Sequence, residues 1–298
     1  MFKFILLAFM ISNHQTSSAN TSTNSLFANN QHPSALHEKQ TIEGTLEDLT
    51  ISNSKSLTSD ICPCDHLSEY ATMDTVFERI IGLGSDCVTK GQINLYFCPT
   101  EDWKATKKGH ADLLDWLIIK DYSLLADAFL NNLTDFFEHE DFQPEIVCGW
   151  KTLINTRYDM HWNHLFNSEH EGYWVKNIEG EFSKESIDLI FPEIRRKIDY
   201  LKDKFLQAKD KLTLYVIHDK YYKFSKDVLL KLCSSITNLR SGNKNFALLL
   251  VMKKKTIDNF QNIFIFESNK VAPGWDGGDS ARWKEILDQF KFTLDIWA

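Results

Sequence analysis

A cysteine that follows a glycine turn is the residue of this sequence best suited to covalent chemistry. Cys87 ends the segment Gly82-Leu-Gly-Ser-Asp-Cys87, which leaves a predicted strand at Thr75–Ile81. Glycines allow the unusual dihedrals of a tight turn, and we expect a helix to begin at or near the cysteine. Because helix N-termini favour the thiolate, which attacks carbonyl groups, this arrangement suits nucleophilic catalysis. A buried structural cysteine is the alternative; a dinucleotide-binding turn would need a third glycine.

Histidines at three positions could act as the base for such a thiol. His161 and His164 lie close together in an aromatic segment predicted to be a loop over 155–172, and His218 follows another predicted strand. Imidazoles change protonation near neutral pH, so the first two could supply a base or a pair of metal ligands. His218, next to Asp219, is the rival base.

Carboxylates near these segments could orient a histidine. Asp115 lies in an apolar stretch that we predict to be a helix over 112–119, where a carboxylate is costly unless it is hydrogen-bonded or functional. Asp276 and Asp279 lie in a glycine-containing turn before the last predicted helix, and either Asp279 or Ser280 is suited to capping that helix.

The cysteines do not predict a metal site. Cys62-Pro-Cys64-Asp-His66 groups soft ligands tightly, but no second C-x-x-C or H-x-x-x-H pair completes a set of four. We therefore predict neither a metal nor a cofactor. The six cysteines also lack the spacing of a small disulfide scaffold; they stand at 62, 64, 87, 98, 148 and 233.

The first part of the chain is predicted to lie outside the folded domain. Residues 1–19 combine Lys3, a short apolar run and small residues at the end, which is typical of a signal peptide. Residues 20–72 are rich in Ser, Thr and Asn and predict a mostly disordered linker. The folded domain is predicted over 73–298, and no segment is long and apolar enough to span a membrane.

Composition limits the classes of partner. The 298 residues carry 33 Lys and Arg against 41 Asp and Glu, a net charge of -8, which opposes binding to a phosphate backbone. Nucleic acid is therefore not an expected partner. Aromatic residues make up 13% of the chain and could build either a heavy core or a sugar-stacking surface.

The periodicity of the second half predicts an α/β fold. Nearly continuous apolar strands at 212–217, 246–251 and 262–266 surround a helix at 225–239, which is typical of a buried parallel sheet. Further helices are predicted at 122–137, 193–208 and 281–290. The predicted architecture is a single three-layer domain, a mainly parallel sheet flanked by helices.

As a whole the pattern resembles a largely uncharacterised bacterial family of papain-like cysteine peptidases. The resemblance covers residues 75–292 in order and rests on five segments: Ile81–Cys87 for the S-L-G-x-x-C turn, Leu114-Asp115-Trp116 for F-D-W, His164-Leu165-Phe166 for H-[DH]-F, the helix and strand of Glu193–Ile217, and Trp275–Trp283 for W-x-G-D-x-x-x-W. This sequence departs from the family in the first residue of each of the first two motifs and in the middle residue of the third.

The resemblance implies a cysteine peptidase site. Cys87 would be the nucleophile, His164 the base, and Asp115 or Asp279 the residue that orients the imidazole. Turn amides at Gly84, Ser85 and Asp86 would stabilise the oxyanion, and the substrate would be a peptide or another acyl compound. The predicted substrate-binding residues are Trp116, His161, Trp162, Trp275 and Trp283.

Two other functions remain open at this point. A carbohydrate-binding protein would stack sugar rings on tryptophans and keep Cys87 as a structural residue; those tryptophans would be Trp162, Trp174, Trp275 and Trp283. A nucleotide-sugar transferase would instead hold a divalent metal through Asp276 or Asp279.

Overall fold

A computed structural model of the chain describes residues 70–84, 87–97, 112–115, 117–147, 149–163, 181–219, 224–268 and 279–293. All of them belong to one structural unit, residues 62–298. The predicted leader and all but the last three residues of the predicted linker lie outside the described residues.

The described residues form five helices and ten strands. The helices are α1 (Cys87–Phe97), α2 (Tyr122–Leu130), α3 (Lys184–Gln207), α4 (Lys226–Leu239) and α5 (Ser280–Leu287). The strands are β1 (Val76–Phe77), β2 (Arg79–Gly82), β3 (Leu117–Ile119), β4 (Phe142–Val147), β5 (Trp150–Asn155), β6 (Met160–Trp162), β7 (Thr213–Asp219), β8 (Phe246–Met252), β9 (Ile263–Glu267) and β10 (Lys291–Phe292).

A parallel sheet of four strands, in the order β2-β7-β8-β9, confirms the predicted α/β class. Strands β7 and β8 are buried along almost their whole length, which explains why their sequences are continuous apolar runs rather than alternating ones. Beside this sheet, the short strands β1 and β10 pair in parallel, Val76 with Lys291 and Phe77 with Phe292.

The two faces of the parallel sheet pack against different helices. Alternate residues such as Ile81, Ile217 and Leu250 join a core that contains the buried residues of α2, α3 and α4. Their neighbours, such as Val216 and Leu249, join a second core with residues of α1 and α5. Period-two alternation along each strand therefore separates the two sets of helices.

A second, antiparallel sheet has the order β3-β6-β5-β4 and packs into the core of α2, α3 and α4. Leu117, Leu153 and Trp162 are buried there, and Trp162 packs its ring against three phenylalanines, Phe136, Phe137 and Phe142. Aromatic side chains thus contribute much of this core.

Side-chain caps fix where four helices begin. Each capping oxygen accepts a backbone N–H of the first turn, which stabilises a helix by about 1 kcal/mol. The caps are Asp121 for α2, Ser183 for α3, Ser225 for α4 and Asp279 for α5. The predicted capping role of Asp279 is confirmed, since its carboxylate accepts the Arg282 amide at 3.2 Å.

The predicted helix over 112–119 is wrong. Residues 113–115 form a turn and Leu117–Ile119 is strand β3. The apolar spacing fits a helix as well as a strand. The segment forms a strand because it pairs with residues far along the chain: Leu117 lies opposite Trp162 and Ile119 opposite Met160. The predicted loop over 155–172 is wrong for the same reason, since it contains β6.

The two largest differences in helix boundaries are at the end of α2 and at the start of α3. α2 ends at Leu130 rather than at residue 137, and Asn132 and Leu133 take left-handed conformations, with φ of 52° and 56°. α3 begins at Lys184, well before the predicted start at residue 193, so Pro192 lies inside the helix.

No helix within the described ranges is both long enough and apolar enough to cross a bilayer.

Candidate active site at the end of strand β2

Strands β2 and β7 are neighbours whose following helices leave in opposite directions. α1, which follows β2, contributes Ile93 to the core on one face of the sheet, whereas α4, which follows β7, packs in the core on the other face. In open α/β sheets such a switch leaves a crevice outside the carboxyl ends of the two strands, and ligands bind there. The carboxyl ends of β2 and β7 are therefore the place to search for a site.

The backbone of the turn after β2 is held from three sides. The Leu83 amide donates to the Val216 carbonyl of β7 at 2.8 Å, and the Tyr122 hydroxyl donates to the Leu83 carbonyl at 2.9 Å. Gly84 has a φ of 71°, and a Cβ at this position would lie 2.6 Å from Cδ1 of Ile119. Both the left-handed backbone and the closeness of β3 therefore require glycine.

Helix α1 begins at Cys87, as predicted. The Thr89 hydroxyl donates to the Gly84 carbonyl at 3.1 Å, so the first turn of the helix is tied back to the turn that precedes it. Residues 88–93 are all buried, although Thr89, Lys90 and Gln92 are polar. The predicted oxyanion residues Ser85 and Asp86, and the side chain of Cys87, lie outside the described part of the structure.

Asp115 lies against this first turn of α1 and forms a buried ion pair. The Lys90 ammonium is 2.7 Å from Oδ2 of Asp115, and the two side chains are 5% and 0% exposed. The same oxygen accepts the Asp112 amide at 2.8 Å. Oδ1 has no hydrogen-bond partner among the described residues and lies 3.4 Å from where a Cβ on Gly82 would stand.

Burial controls the titration of this carboxyl group. It raises the pKa of Asp115 to about 6, against the opposite effect of the Lys90 charge. The negative charge of Asp112 raises this pKa further. Asp115 is therefore a carboxyl group whose charge changes close to neutral pH.

Three more charged residues surround this pair. Arg79 forms an ion pair with Asp112, and its guanidinium also donates to the Lys204 carbonyl. Burial lowers the pKa of the Lys204 ammonium, which is also influenced by Asp112, Arg79, Lys90 and Asp115. Three cations, Lys90, Arg79 and Lys204, thus surround the two carboxylates of Asp112 and Asp115.

His218 lies at the carboxyl end of β7, on the face of the sheet that carries α1 and α5. Gly82 pairs with Val216, so His218 is level with the turn residue Gly84. The histidine is 4% exposed, and its ring meets the Trp283 indole edge to face, with 5.9 Å between the ring centroids. Of the three histidines that the sequence singled out, His218 is the one described at this end of the sheet.

His161 lies elsewhere, in the antiparallel sheet. Its Nε2 is 3.4 Å from the Asp159 carboxylate, and it lies opposite Ile118 and Ile154 in the ladder. Burial lowers the pKa of His161, and the charge of Lys120 lowers it further. These effects favour the neutral form of the His161 imidazole.

The structure describes two of the tryptophans that the sequence singled out, Trp162 and Trp283. Trp162 and Trp283 are 3% and 1% exposed, so neither presents a ring face to solvent for stacking on a sugar. Trp116 and Trp275 lie outside the described residues, as do Trp174, Asp276 and the predicted base, His164.

Sequence reasoning did not single out Lys90 as part of the site. A lone lysine among buried residues of a helix, together with an aspartate in a distant apolar segment, is a signal of a buried pair, because neither charge is stable there alone. The pairing itself depends on the fold, since the two residues come together only when the turn that contains Asp115 packs against α1 and the end of β2.

Cys233 provides a contrast to Cys87 within the same chain. It lies in the middle of α4, where burial raises the pKa of its thiol to about 12. Such a cysteine is chemically inert at neutral pH.

No protein-family model, curated protein or solved structure matches the chain. Among the described residues, no three histidine, cysteine, aspartate or glutamate side chains are grouped so that they could hold a metal ion.

Proposed function

We propose that the chain is a cysteine-dependent hydrolase of the peptidase or acyl-hydrolase type, with Cys87 as its nucleophile. One observation carries the proposal. Cys87 is the first residue of α1 and follows the carboxyl end of β2, where β2 and β7 send their helices to opposite faces of the sheet. This is where an α/β sheet binds its ligand and where a helix N-terminus stabilises a thiolate.

The chemistry follows the usual course of a thiol hydrolase. The Cys87 thiolate attacks the carbonyl carbon, a C–S bond forms, and the carbonyl electron pair moves to oxygen, which the backbone amides of residues 84–87 stabilise. Collapse expels the amine or alcohol, which takes a proton from an imidazolium ion. Water then attacks the thioester, gives its proton to the imidazole, and releases the acid and the thiolate.

Two histidines are candidates for the base. His164 is the residue that the family resemblance implies, and it follows β6 by two positions in the sequence. His218 is the alternative, and its position at the end of β7, level with Gly84, favours it. Asp115 hydrogen-bonds to Lys90 and to the Asp112 amide, so in this proposal it is not needed to orient either imidazole.

The proposal includes the location and the architecture. Residues 1–19 would direct export, and the enzyme would act on a peptide or other acyl substrate outside the cytoplasm. Residues 73–298 would form one three-layer domain, with α1 and α5 on one face of the parallel sheet and α2, α3 and α4 on the other.

The test is acylation by p-nitrophenyl acetate. We expect a burst of nitrophenolate equal to the enzyme concentration, one acetyl group on the peptide that contains Cys87, and slower turnover. Cys87→Ala abolishes the burst, and the matched control Cys233→Ala keeps it. His164→Ala and His218→Ala identify the base, because only its loss slows acylation strongly, by about 100-fold or more. Acetylation of Cys87 no faster than that of Cys233 overturns the proposal.

A further inference from the structure

The outer face of α3 carries the two most exposed large apolar side chains among the described residues. Leu189 is 83% exposed and Tyr200 is 67% exposed. They are eleven positions apart, about three turns of an α-helix, so both lie on the same side of α3. The opposite side contains the residues that α3 buries in the core, among them Ile194 and Ile198. Because burial of apolar surface drives most protein association, the outer face of α3 is a candidate contact surface.

Two charged side chains lie between Leu189 and Tyr200 on the same face. Glu193 and Arg196 follow Leu189 by four and seven positions, the spacing that keeps side chains on one side of a helix, and both are exposed. Glu193 is 3.2 Å from the ammonium of Lys197, whereas Arg196 forms no ion pair with any described residue. The face therefore has an apolar side chain at each end, with one acidic and one basic side chain in the middle.

This order of side chains is complementary to itself when the helix is reversed. In two antiparallel copies of α3 related by a two-fold axis between residues 194 and 195, position 189 faces position 200 and position 193 faces position 196. Leu189 then meets Tyr200 twice, and Glu193 meets Arg196 twice. An isologous contact needs such self-complementarity. A shift of four residues places Leu189 opposite Arg196 in one direction and Tyr200 opposite Glu193 in the other, so the register is specific.

We propose that this face of α3 binds the same face of a second copy of the chain, as an antiparallel helix pair about a two-fold axis. A second copy fits better than a bilayer, because the same face also carries the exposed acids Glu185 and Asp203, which anionic lipid headgroups repel. The 24 residues of α3 extend for about 36 Å. One helix from each copy makes a small interface, so the dimer is reversible and its population depends on concentration.

The experiment measures the mass of the full-length chain by sedimentation equilibrium over a wide range of concentration. The variants are Leu189→Lys, Glu193→Arg, Arg196→Glu and the double variant Glu193→Arg/Arg196→Glu. The matched control is Ile146→Lys, which replaces another apolar side chain that is 56% exposed, in β4. All these positions are exposed, so the changes leave the fold intact, which circular dichroism checks.

We expect a monomer–dimer equilibrium in the wild type and an unchanged one in Ile146→Lys. Leu189→Lys raises the dissociation constant by about 10-fold or more, because each dimer loses two apolar contacts. Glu193→Arg and Arg196→Glu, each alone, prevent dimerisation, because each places like charges opposite one another at two positions. The double variant restores two attractive pairs and dimerises again. A mixture of the two single variants forms a heterodimer, because one copy then carries two bases at the axis and the other carries two acids.

A chain that is monomeric at every concentration overturns the inference. So does a dimer that Ile146→Lys weakens as much as Leu189→Lys does, or one that the charge variants leave unchanged, since another surface would then form the contact. Failure of the mixed single variants to dimerise contradicts the antiparallel pairing and overturns it too. Binding of a monomer to phosphatidylglycerol vesicles, lost in Leu189→Lys, would assign this face to a bilayer instead.

Discussion

The two ends of the parallel sheet each have a buried cation nearby, and the two cations have different kinds of hydrogen-bond partner. At the amino end of β7, Arg240 is 1% exposed and donates to the carbonyls of Lys211 and Asn245, at 2.7 and 3.0 Å. At the carboxyl end of β2, Lys90 is paired with the carboxylate of Asp115. The described contacts of Arg240 are with neutral groups, whereas Lys90 has a partner that titrates.

The charge of the Arg240 contacts is therefore independent of pH, whereas the charge of the Lys90–Asp115 pair is not. A guanidinium is always charged, and carbonyl acceptors do not change with pH, so the amino end keeps one electrostatic state. The Lys90–Asp115 pair changes its net charge as Asp115 gains or loses a proton. Buried ion pairs contribute little net stability, so the two ends differ in how they respond to pH more than in how strongly these contacts stabilise the fold.

The largest effect on stability is expected from replacing Arg240. Arg240→Met removes the guanidinium that lies over the Phe246 ring and leaves the Lys211 and Asn245 carbonyls without this donor, and we expect the free energy of unfolding to fall by about 3–5 kcal/mol. Urea denaturation measures this loss. Arg240→Lys keeps a charge with fewer donors and should lose less; equal losses in the two variants would show that the charge itself contributes no stability.

A smaller loss is expected at the turn of the carboxyl end. Gly84→Ala places a Cβ 2.6 Å from Ile119 in a left-handed backbone, and we expect a loss of about 2–4 kcal/mol. The control is Gly242→Ala, which has a similar φ of 88° but open space around it, and so isolates the backbone strain. A Gly84→Ala variant no less stable than this control would mean that β3 does not restrain the turn.

The smallest effect expected is the change with pH in the contribution of Asp115 to the free energy of unfolding. Because the folded protein raises the pKa of Asp115 to about 6 from 3.8, it binds this proton more tightly than the unfolded chain does. The contribution of Asp115 to stability is therefore greatest at low pH and declines as the pH rises from about 4 to about 6, by about 1–3 kcal/mol. Asp115→Asn removes this slope, which denaturation at several pH values measures. An unchanged slope would contradict the assignment.

The sequence was sufficient to predict the parts of the fold that local pattern determines. Strands β7 and β8 are continuous apolar runs, α4 has a clean apolar face and a serine cap, and Cys87 starts a helix after two glycines. Strand β3 and strand β6 are only three residues long and form by pairing with distant segments, β3 with β6 and β6 also with β5. Their patterns alone do not distinguish a strand from a helix or a loop.

The candidate site also contains residues whose positions local sequence predicts and residues whose positions depend on the fold. The position of Cys87 follows from its neighbours in sequence, and the cost of burying Asp115 predicts that it needs a partner. That the partner is Lys90 depends on how β3 and α1 approach each other, and no local pattern contains that information. The same holds for His218, whose closeness to the β2 turn is fixed by the pairing of β2 with β7.

The pairing of β10 with β1 affects the order of folding events during synthesis. The strand that begins the described fold finds one of its neighbours only at Lys291–Phe292, more than two hundred positions later. A ribosome must therefore release nearly all of this chain before that ladder can close.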